Sequence, residues 1–488
     1  MNNSITIQSM LITQNSSLRD ALLAIDKNAQ GIIFVVDELS SLVGVLTDGD
    51  IRRLLLKGVA LTEPVSSGMQ KEFISRPIVT SSQELIYLLN DRVRHIPLVD
   101  ENNIPVDYAC LNRLHQIPIM EPSLIGNEIE YVTECIKTNW ISSQGAFVRK
   151  FETMFTEYCG YPYALAVSNG TVALHLALVS LHIGPGDEVI VPDLTFAASI
   201  NAIIYTGATP VIVDIHPVTW TIDPVEIEKK ITSRTKAIMP VHLYGHPCHM
   251  DEITLLAQKY KLYIVEDCAE ALGSSYKGKK VGTFGEVSTF SFFGNKTITT
   301  GEGGMVLFRN KEIYERAKKL RDHGMSPTKR YWHDEVGFNY RMTNMQGAIG
   351  VAQMERIDIF VNSKQRIAGK YNESLSKIRG IKLPPQAEWA YNSYWLYTLI
   401  IDQPFVVSRD EMMKKLLLNG VETRPVFYPL HEMPPYKQFS SGNYPVSIYV
   451  SKNGMSLPSS VNLTDQMLAT IINALETVFK TRNLVLEL

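Results

Sequence analysis

Ser291-Phe-Phe-Gly-Asn-Lys296-Thr-Ile-Thr-Thr-Gly-Glu-Gly-Gly304 sets a lone amine between an apolar, aromatic run (Thr289 to Phe293) and a glycine-rich turn. Desolvation disfavours an ammonium ion and lowers its pKa, so a lysine in such surroundings is costly unless its amine has a task. A neutral amine forms a Schiff base with an aldehyde. A lone lysine of this kind is more often an exposed loop residue, so the choice rests on its companions along the chain.

Those companions lie at the ends of short strands. Apolar runs at Tyr163 to Val167, Glu188 to Val191, Pro210 to Val213, Ala237 to Val241 and Leu262 to Val265 are interleaved with helical spacing at Thr171 to His182 and Ala197 to Tyr205. The alternation predicts a mostly parallel sheet covered on both faces. From about residue 366 it gives way to helix, scattered strands and Pro-rich loops, as in a smaller C-terminal domain.

Asp267 follows the strand Leu262-Tyr-Ile-Val-Glu266, at the carboxyl end where open α/β sheets take ligands. A helix N-cap is its other reading. A carboxylate there suits the protonated nitrogen of a pyridine ring, the electron sink of pyridoxal chemistry. Ser168-Asn-Gly170-Thr171 leaves one strand and opens the next helix, so free N–H groups and the helix dipole make a phosphate cup. Gly170 permits close approach and Thr171 adds a hydroxyl; taken alone, the motif is equally a plain turn and cap. Ser291 offers a second hydroxyl, five residues before Lys296. Phe196, in Pro192-Asp-Leu-Thr-Phe196, is either stacked on a ring or ordinary core.

With Trp140-Ile-Ser-Ser143 and Glu266-Asp-Cys-Ala-Glu270, these segments run in order from about residue 118, and the whole resembles the nucleotide-sugar aminotransferases of the DegT/StrS type, a fold type I family. The resemblance implies pyridoxal 5'-phosphate (PLP) as cofactor, a large PLP-binding domain over 117–365 and a small C-terminal α+β domain over 366–488. It implies Lys296 as the Schiff-base lysine, Asp267 at the ring nitrogen, Phe196 or an equivalent aromatic over the ring, and Glu270 near the ring hydroxyl, where many members carry Gln or His. Gly337-Phe-Asn339-Tyr-Arg341-Met-Thr-Asn344 reads by itself as a capped helix start. The family implies instead that Asn339 reaches the phosphate held by a neighbouring subunit, in an obligate homodimer with shared active sites.

Sugar dehydratases of this group replace the Schiff-base lysine with histidine, so Lys296 favours transamination, with glutamate as donor by analogy. A sugar nucleotide carries a diphosphate, for which Arg330-Tyr331-Trp-His333, Arg424 and His431 are candidates, together with Ser142. Subunit salt bridges are the other reading of Arg330 and Arg424. These segments look most like those members that aminate C4 of GDP-4-keto-6-deoxymannose, giving GDP-perosamine for O-antigen synthesis. Competing readings are a 4- or 3-aminotransferase acting on a UDP- or dTDP-linked ketosugar, and a nucleotide-sensing regulatory protein without catalysis.

Residues 1–116 read as a separate α/β module with an internal repeat of about 60 residues. Helical spacing at Leu18 to Asn28, strands at Gly31 to Val36 and Leu42 to Leu46, and a helix at Ile51 to Lys57 are echoed by a helix at Thr80 to Val93 and strands at His95 to Asp100 and Val106 to Cys110. Gly44-Val-Leu-Thr47-Asp-Gly-Asp50-Ile-Arg-Arg53 resembles a CBS domain, so the module is similar to a tandem CBS pair. That family implies Thr47 and Asp50 against the ribose of an adenine nucleotide. The second copy is degenerate, with Cys110 and Arg113 at the matching positions. Stabilising or oligomerising the enzyme is the module's alternative role. Gln116-Ile-Pro-Ile-Met-Glu-Pro122 reads as the linker.

Composition narrows the partners. A formal net charge of −3 gives no electrostatic case for nucleic acid or anionic membrane. No apolar run reaches the roughly 18 residues of a membrane span. Met1 to Gln14 lacks the basic and apolar regions of a signal peptide, and five scattered cysteines show no metal-ligand spacing. The expectation is a cytoplasmic enzyme with free thiols and no metal.

Overall fold

The computed structural model describes residues 6–80, 82–90, 92–110, 117–402 and 407–486. The chain divides into two compact units, Met1–Gln116 and Ile117–Leu488.

A seven-stranded sheet centres the larger unit, in the spatial order Tyr163–Val167, Gly304–Phe308, Val287–Ser291, Tyr263–Asp267, Thr235–Ile238, Glu188–Pro192 and Thr209–Val213. Gly304–Phe308 runs antiparallel to both neighbours, and the other strands are mutually parallel. Both faces are covered, which is why these strands are continuous apolar runs in the sequence. Leu165 and Val167 pack with the helices Gly170–Ser180 and Ala197–Tyr205, while Ala164 and Ala166 face the aromatic layer of Phe151, Phe155, Phe290 and Phe292. The run expected at Ala237 to Val241 is a strand only over Thr235–Ile238. Pro240 has no N–H to offer the ladder, which interrupts the strand there, while its carbonyl still accepts Asp267 N–H (2.9 Å) and Val241 bridges Asp267.

A four-stranded antiparallel sheet follows, ordered Ile381–Lys382, Tyr397–Ile401, Gly454–Leu457 and Arg424–Pro425. It packs with the helices Ile357–Leu375 and Arg409–Leu418 through Tyr371, Leu375, Met412 and Leu416. The first of these helices runs without a break through residue 366, so the boundary expected between 365 and 366 falls inside it.

The segment expected as a linker is ordered structure from Ile117 onward. Ile117 N–H donates to the Gly420 carbonyl (2.7 Å), and Glu422 N–H donates back to the Ile117 carbonyl (3.0 Å). Ile119 N–H donates to the Glu422 carboxylate (3.0 Å), and both isoleucines are buried. Prolines limit pairing only at their own nitrogens; here the alternate isoleucines supply the donors and the apolar surface.

The smaller unit contains the internal repeat in its backbone. Leu11–Thr13, Ile32–Val36 and Leu42–Thr47 form one three-stranded sheet; Arg76–Pro77, His95–Val99 and Pro105–Cys110 form another. In each, the first pair is parallel and the second antiparallel. The second copy's helix is Ser82–Leu88, shorter than the Thr80 to Val93 expected. Asn90 Oδ1 accepts the N–H groups of Arg92 (2.9 Å) and Val93 (3.1 Å), turning the chain where a helix would have continued. Arg113, at the position matching Asp50 in the second copy, lies outside the described residues.

One buried carboxylate braces the large sheet next to the candidate site. Glu266 accepts from His242 Nε2 (3.1 Å) and from the N–H groups of Gly282 (2.8 Å), Phe284 (2.7 Å) and Gly285 (2.7 Å). Burial alone would raise its pKa, but these donors outweigh it and hold the carboxyl below its ordinary value of 4.5. Its stabilisation is therefore present above pH 4.5 and is lost as pH falls through the lower folded value. Glu266→Gln turns an amide N–H₂ toward these donors and should cost about 3 kcal/mol or more at pH 7. Denaturant titration of the cofactor-free chain from pH 7 down to pH 3 should show that loss and a flatter acid limb in the variant.

Candidate active site

A cavity of about 630 Å³ opens at the carboxyl ends of the parallel strands. Lys296 emerges into it from the turn after Val287–Ser291, with Phe292 buried behind it. Its Nζ lies 3.6 Å from Glu270 Oε1 and 3.7 Å from the centroid of the Trp395 ring. Burial lowers the amine's pKa, while the facing carboxyls of Glu270 and Asp267 pull it back up.

Asp267 is the last residue of its strand and is buried. Its Oδ2 accepts from the Ser199 hydroxyl (2.7 Å), itself paired with Thr195 (2.9 Å), and its Oδ1 accepts Ala269 N–H (3.1 Å). Desolvation nonetheless leaves its pKa raised, with Ser199, Ala269 N–H and Lys296 opposing. The N-cap reading fails, because no helix begins there; the carboxylate faces the cavity. Glu270 is one turn further on, with Oε2 accepting Tyr244 N–H (2.9 Å). Burial pushes its carboxyl up to about 7, against the pull of Lys296 and that N–H. Two acids and one amine thus share one desolvated space, and each disfavours its own charge unless a partner supplies the opposite one.

The start of the helix Gly170–Ser180 forms one cavity wall, with Asn169 as N-cap accepting Val172 N–H (3.0 Å). A Cβ on Gly170 would stand 2.7 Å from Ser291 Cβ and 2.9 Å from its hydroxyl. Glycine is therefore required for the helix N-terminus to approach that strand end. Gly170, Thr171 and Ser291 all line the cavity, the arrangement an anionic group takes at a helix N-terminus. Phe196 is 58 % exposed and lines the same space, which excludes its reading as core.

The remaining candidates are dispersed. Arg424 lines the cavity and, with Lys296, supplies its only cationic side chains among the described residues. It stands 3.8 Å from Glu422. Arg330 and Tyr331 are exposed and stack on one another (4.9 Å), outside the cavity lining. Ser142 is exposed, its carbonyl accepting Asn344 N–H (3.1 Å). Asn339 is exposed too, its Oδ1 accepting from Arg341 Nε (3.1 Å). His431 is not at the cavity: its Nδ1 lies 2.8 Å from the buried Asp193 carboxylate and its ring stacks on Tyr444. In the smaller unit, Thr47 and Asp50 form a reciprocal helix cap, Thr47 Oγ1 donating to Asp50 Oδ2 (2.6 Å) and accepting Asp50 N–H (3.1 Å). Arg53 and Gln70 occupy the other carboxylate oxygen (2.6 and 3.0 Å).

Sequence reading missed Thr195, Ser199, Tyr244 and Trp395. Ser199 had a faint signal, lying four residues after Thr195 at a helix start; Tyr244 and Trp395 arrive from separate loops and had none.

Substituting Gly170→Ala should weaken binding of an anion at this helix N-terminus by about tenfold or more, since Ser291 must give way. Titrating inorganic phosphate against wild type and variant by calorimetry measures this.

Residues 122–476 match the model of the DegT/DnrJ/EryC1/StrS aminotransferase family, and residues 6–57 match that of the CBS domain. The chain is 46 % identical over 369 residues to a GDP-perosamine synthase of Caulobacter vibrioides, covering 75 % of this chain and 100 % of the relative. It is 48 % identical over 359 residues to a GDP-perosamine synthase of Escherichia coli O157:H7, covering 74 % and 97 %. Among solved structures, the PLP form of a putative sugar aminotransferase of Streptococcus pneumoniae superposes with a TM-score of 0.71 at 29 % identity, covering 75 % of this chain and 99 % of that one.

Proposed function

We propose that this chain, which belongs to the DegT/DnrJ/EryC1/StrS aminotransferase family, transfers an amino group from an amino acid donor, L-glutamate by family analogy, to C4 of GDP-4-keto-6-deoxymannose, with PLP as cofactor. The observation that carries this reading is the burial of Lys296 beside Asp267 and Glu270 at the carboxyl end of the sheet.

The residues present fit the cofactor. A buried carboxylate with a raised pKa suits a pyridinium, whose charge would restore its ionised form. A helix N-terminus that tolerates no Cβ, with Thr171 and Ser291 beside it, suits a phosphate. When bound, PLP supplies an aldehyde and an electron-withdrawing ring that makes the donor's α-proton acidic. The protein's residues do the rest. Lys296, with its pKa lowered, accepts a proton and returns it to the sugar carbon. Phe196, exposed in the cavity, would cover one face of the ring, and Glu270 would hold the ring hydroxyl. Arg424, in the cavity lining, would face the diphosphate of the sugar nucleotide, and the exposed Ser142, Arg330 and Tyr331, outside that lining, would add further contacts. Asn339 completes the phosphate site of a partner copy in a homodimer. Free, buried cysteines support a reducing cytoplasm, and no helix among the described residues is long and apolar enough to cross a membrane. The product would feed surface-polysaccharide synthesis. The CBS match supports an adenine nucleotide at Thr47 and Asp50 in the N-terminal module.

Borohydride reduction of the holoprotein, digestion and mass spectrometry should place the cofactor tag on Lys296. Lys296→Ala should lower turnover about 10³-fold or more, as loss of a general acid–base does. Assay with glutamate and a panel of GDP-, UDP- and dTDP-ketosugars should single out the GDP sugar; turnover of a UDP sugar alone would refute the substrate assignment. Calorimetry with ATP, ADP and AMP should show binding to the full chain, and silence from all three would remove the nucleotide proposal.

A further inference from the structure

We propose that Trp395 is a positioning residue that holds the Lys296 amine in register whenever that amine is free, and that the buried Lys364 fixes Trp395 for this task. The inference rests on the proposed role of Lys296 and adds to it a device for controlling the lysine between its bonded states.

Lys296 Nζ lies 3.7 Å from the indole centroid and 3.6 Å from Glu270. An indole is the strongest of the aromatic faces for a cation, and the contact grows as water is removed. Trp395 is 4 % exposed and held at several points. Its Nε1–H donates to the Asn295 carbonyl (2.6 Å), one residue before the lysine. Its ring stacks on Tyr244, with centroids 6.0 Å apart and planes 10° from parallel. Tyr244 in turn stacks on Phe427 (5.4 Å), takes a left-handed backbone at φ +52°, and gives its N–H to Glu270. A non-glycine residue is disfavoured in that conformation, and the packing must offset this. One residue therefore braces both neighbours of the lysine amine.

Lys364 closes the set from behind. It is 1 % exposed and on the helix Ile357–Leu375. Its Nζ donates to the carbonyls of Trp395 (3.0 Å) and Ser459 (3.0 Å), and burial pulls its pKa down to about 7. Among the described residues no acidic group pairs with it, so this buried lysine serves two carbonyls, one of them Trp395's.

The consequence concerns proton transfer. As a free base Lys296 takes a proton, and as an ammonium it gives the proton back, with no net change. An indole face at van der Waals distance favours the ammonium and confines it, so its removal should lower the amine's pKa and let the side chain wander. Asp267 and Glu270 are the charged groups facing Lys296, and Glu302 and Arg424 line the same cavity; a substitution at 395 replaces none of them.

The test uses the holoenzyme in single turnovers with an amino donor carrying hydrogen or deuterium at Cα. In Trp395→Leu the rate should fall about tenfold or more, the isotope effect should rise, and KM for the donor should stay within about twofold. The limb of the pH–rate profile that reports the free amine should move to lower pH. Trp395→Phe should recover most of the rate with a smaller shift in the same direction, and Lys364→Met should slow the same step while still binding cofactor. A Trp395→Leu enzyme with wild-type rate and isotope effect, or a loss confined to KM, would overturn the proposal. Should that variant fail to fold, an unshifted limb in Trp395→Phe would overturn it equally. A wild type without a tag on Lys296 would instead sink the underlying functional reading.

Discussion

The larger unit depends on keeping ionisable groups dry without leaving them unpaired. Asp267, Glu270 and Lys296 are all removed from water in one cavity, and each pays a desolvation cost that only its neighbours can offset. A surface site of the same composition would ionise normally and gain little from any ligand's charge. Here the raised carboxyls and the depressed amine leave the site poised for a ligand carrying a cationic ring and an electrophilic carbon. Glu266, one residue away and on the opposite side of the strand, is the contrasting case, since four donors satisfy it completely and it takes no part in the cavity.

That contrast explains what was legible in the sequence. Asp267, Lys296, Gly170 and Ser291 lie at strand ends or in turns that join strand to helix, and period and punctuation locate such places. Glu266 and Asp267 are adjacent yet face opposite layers, a direct result of the two-residue period of a strand. The parallel sheet was equally legible, because strands covered on both faces must be apolar throughout. Its order in space, with Gly304–Phe308 inserted antiparallel between Tyr163–Val167 and Val287–Ser291, was not. Nothing local in those strands encodes their neighbours.

Tyr244 and Trp395 show the limit from the other side. Each reaches the lysine from a loop whose sequence reads as ordinary aromatic core, and only tertiary packing turns them toward the site. His431 shows the converse: a substrate candidate in the sequence is, in the structure, the hydrogen-bond partner of buried Asp193. Thr47 and Asp50 lie between these cases, because the residues that the CBS resemblance assigns to a ribose are also the two halves of a helix cap. A residue type that suits a ligand also suits the backbone, and spacing alone does not separate the two uses.

The strand-like run from Ile117 to Ile119 bears on how such proteins are cut and recombined. Family likeness sets in at residue 122, whereas the folded body already begins with two isoleucines threaded beside Gly420 to Glu422. A truncation designed on homology would strip a seam out of the catalytic half and leave an open greasy slot with bare carbonyls along it. Excision before residue 117 keeps that seam whole and falls at the boundary between the two compact units.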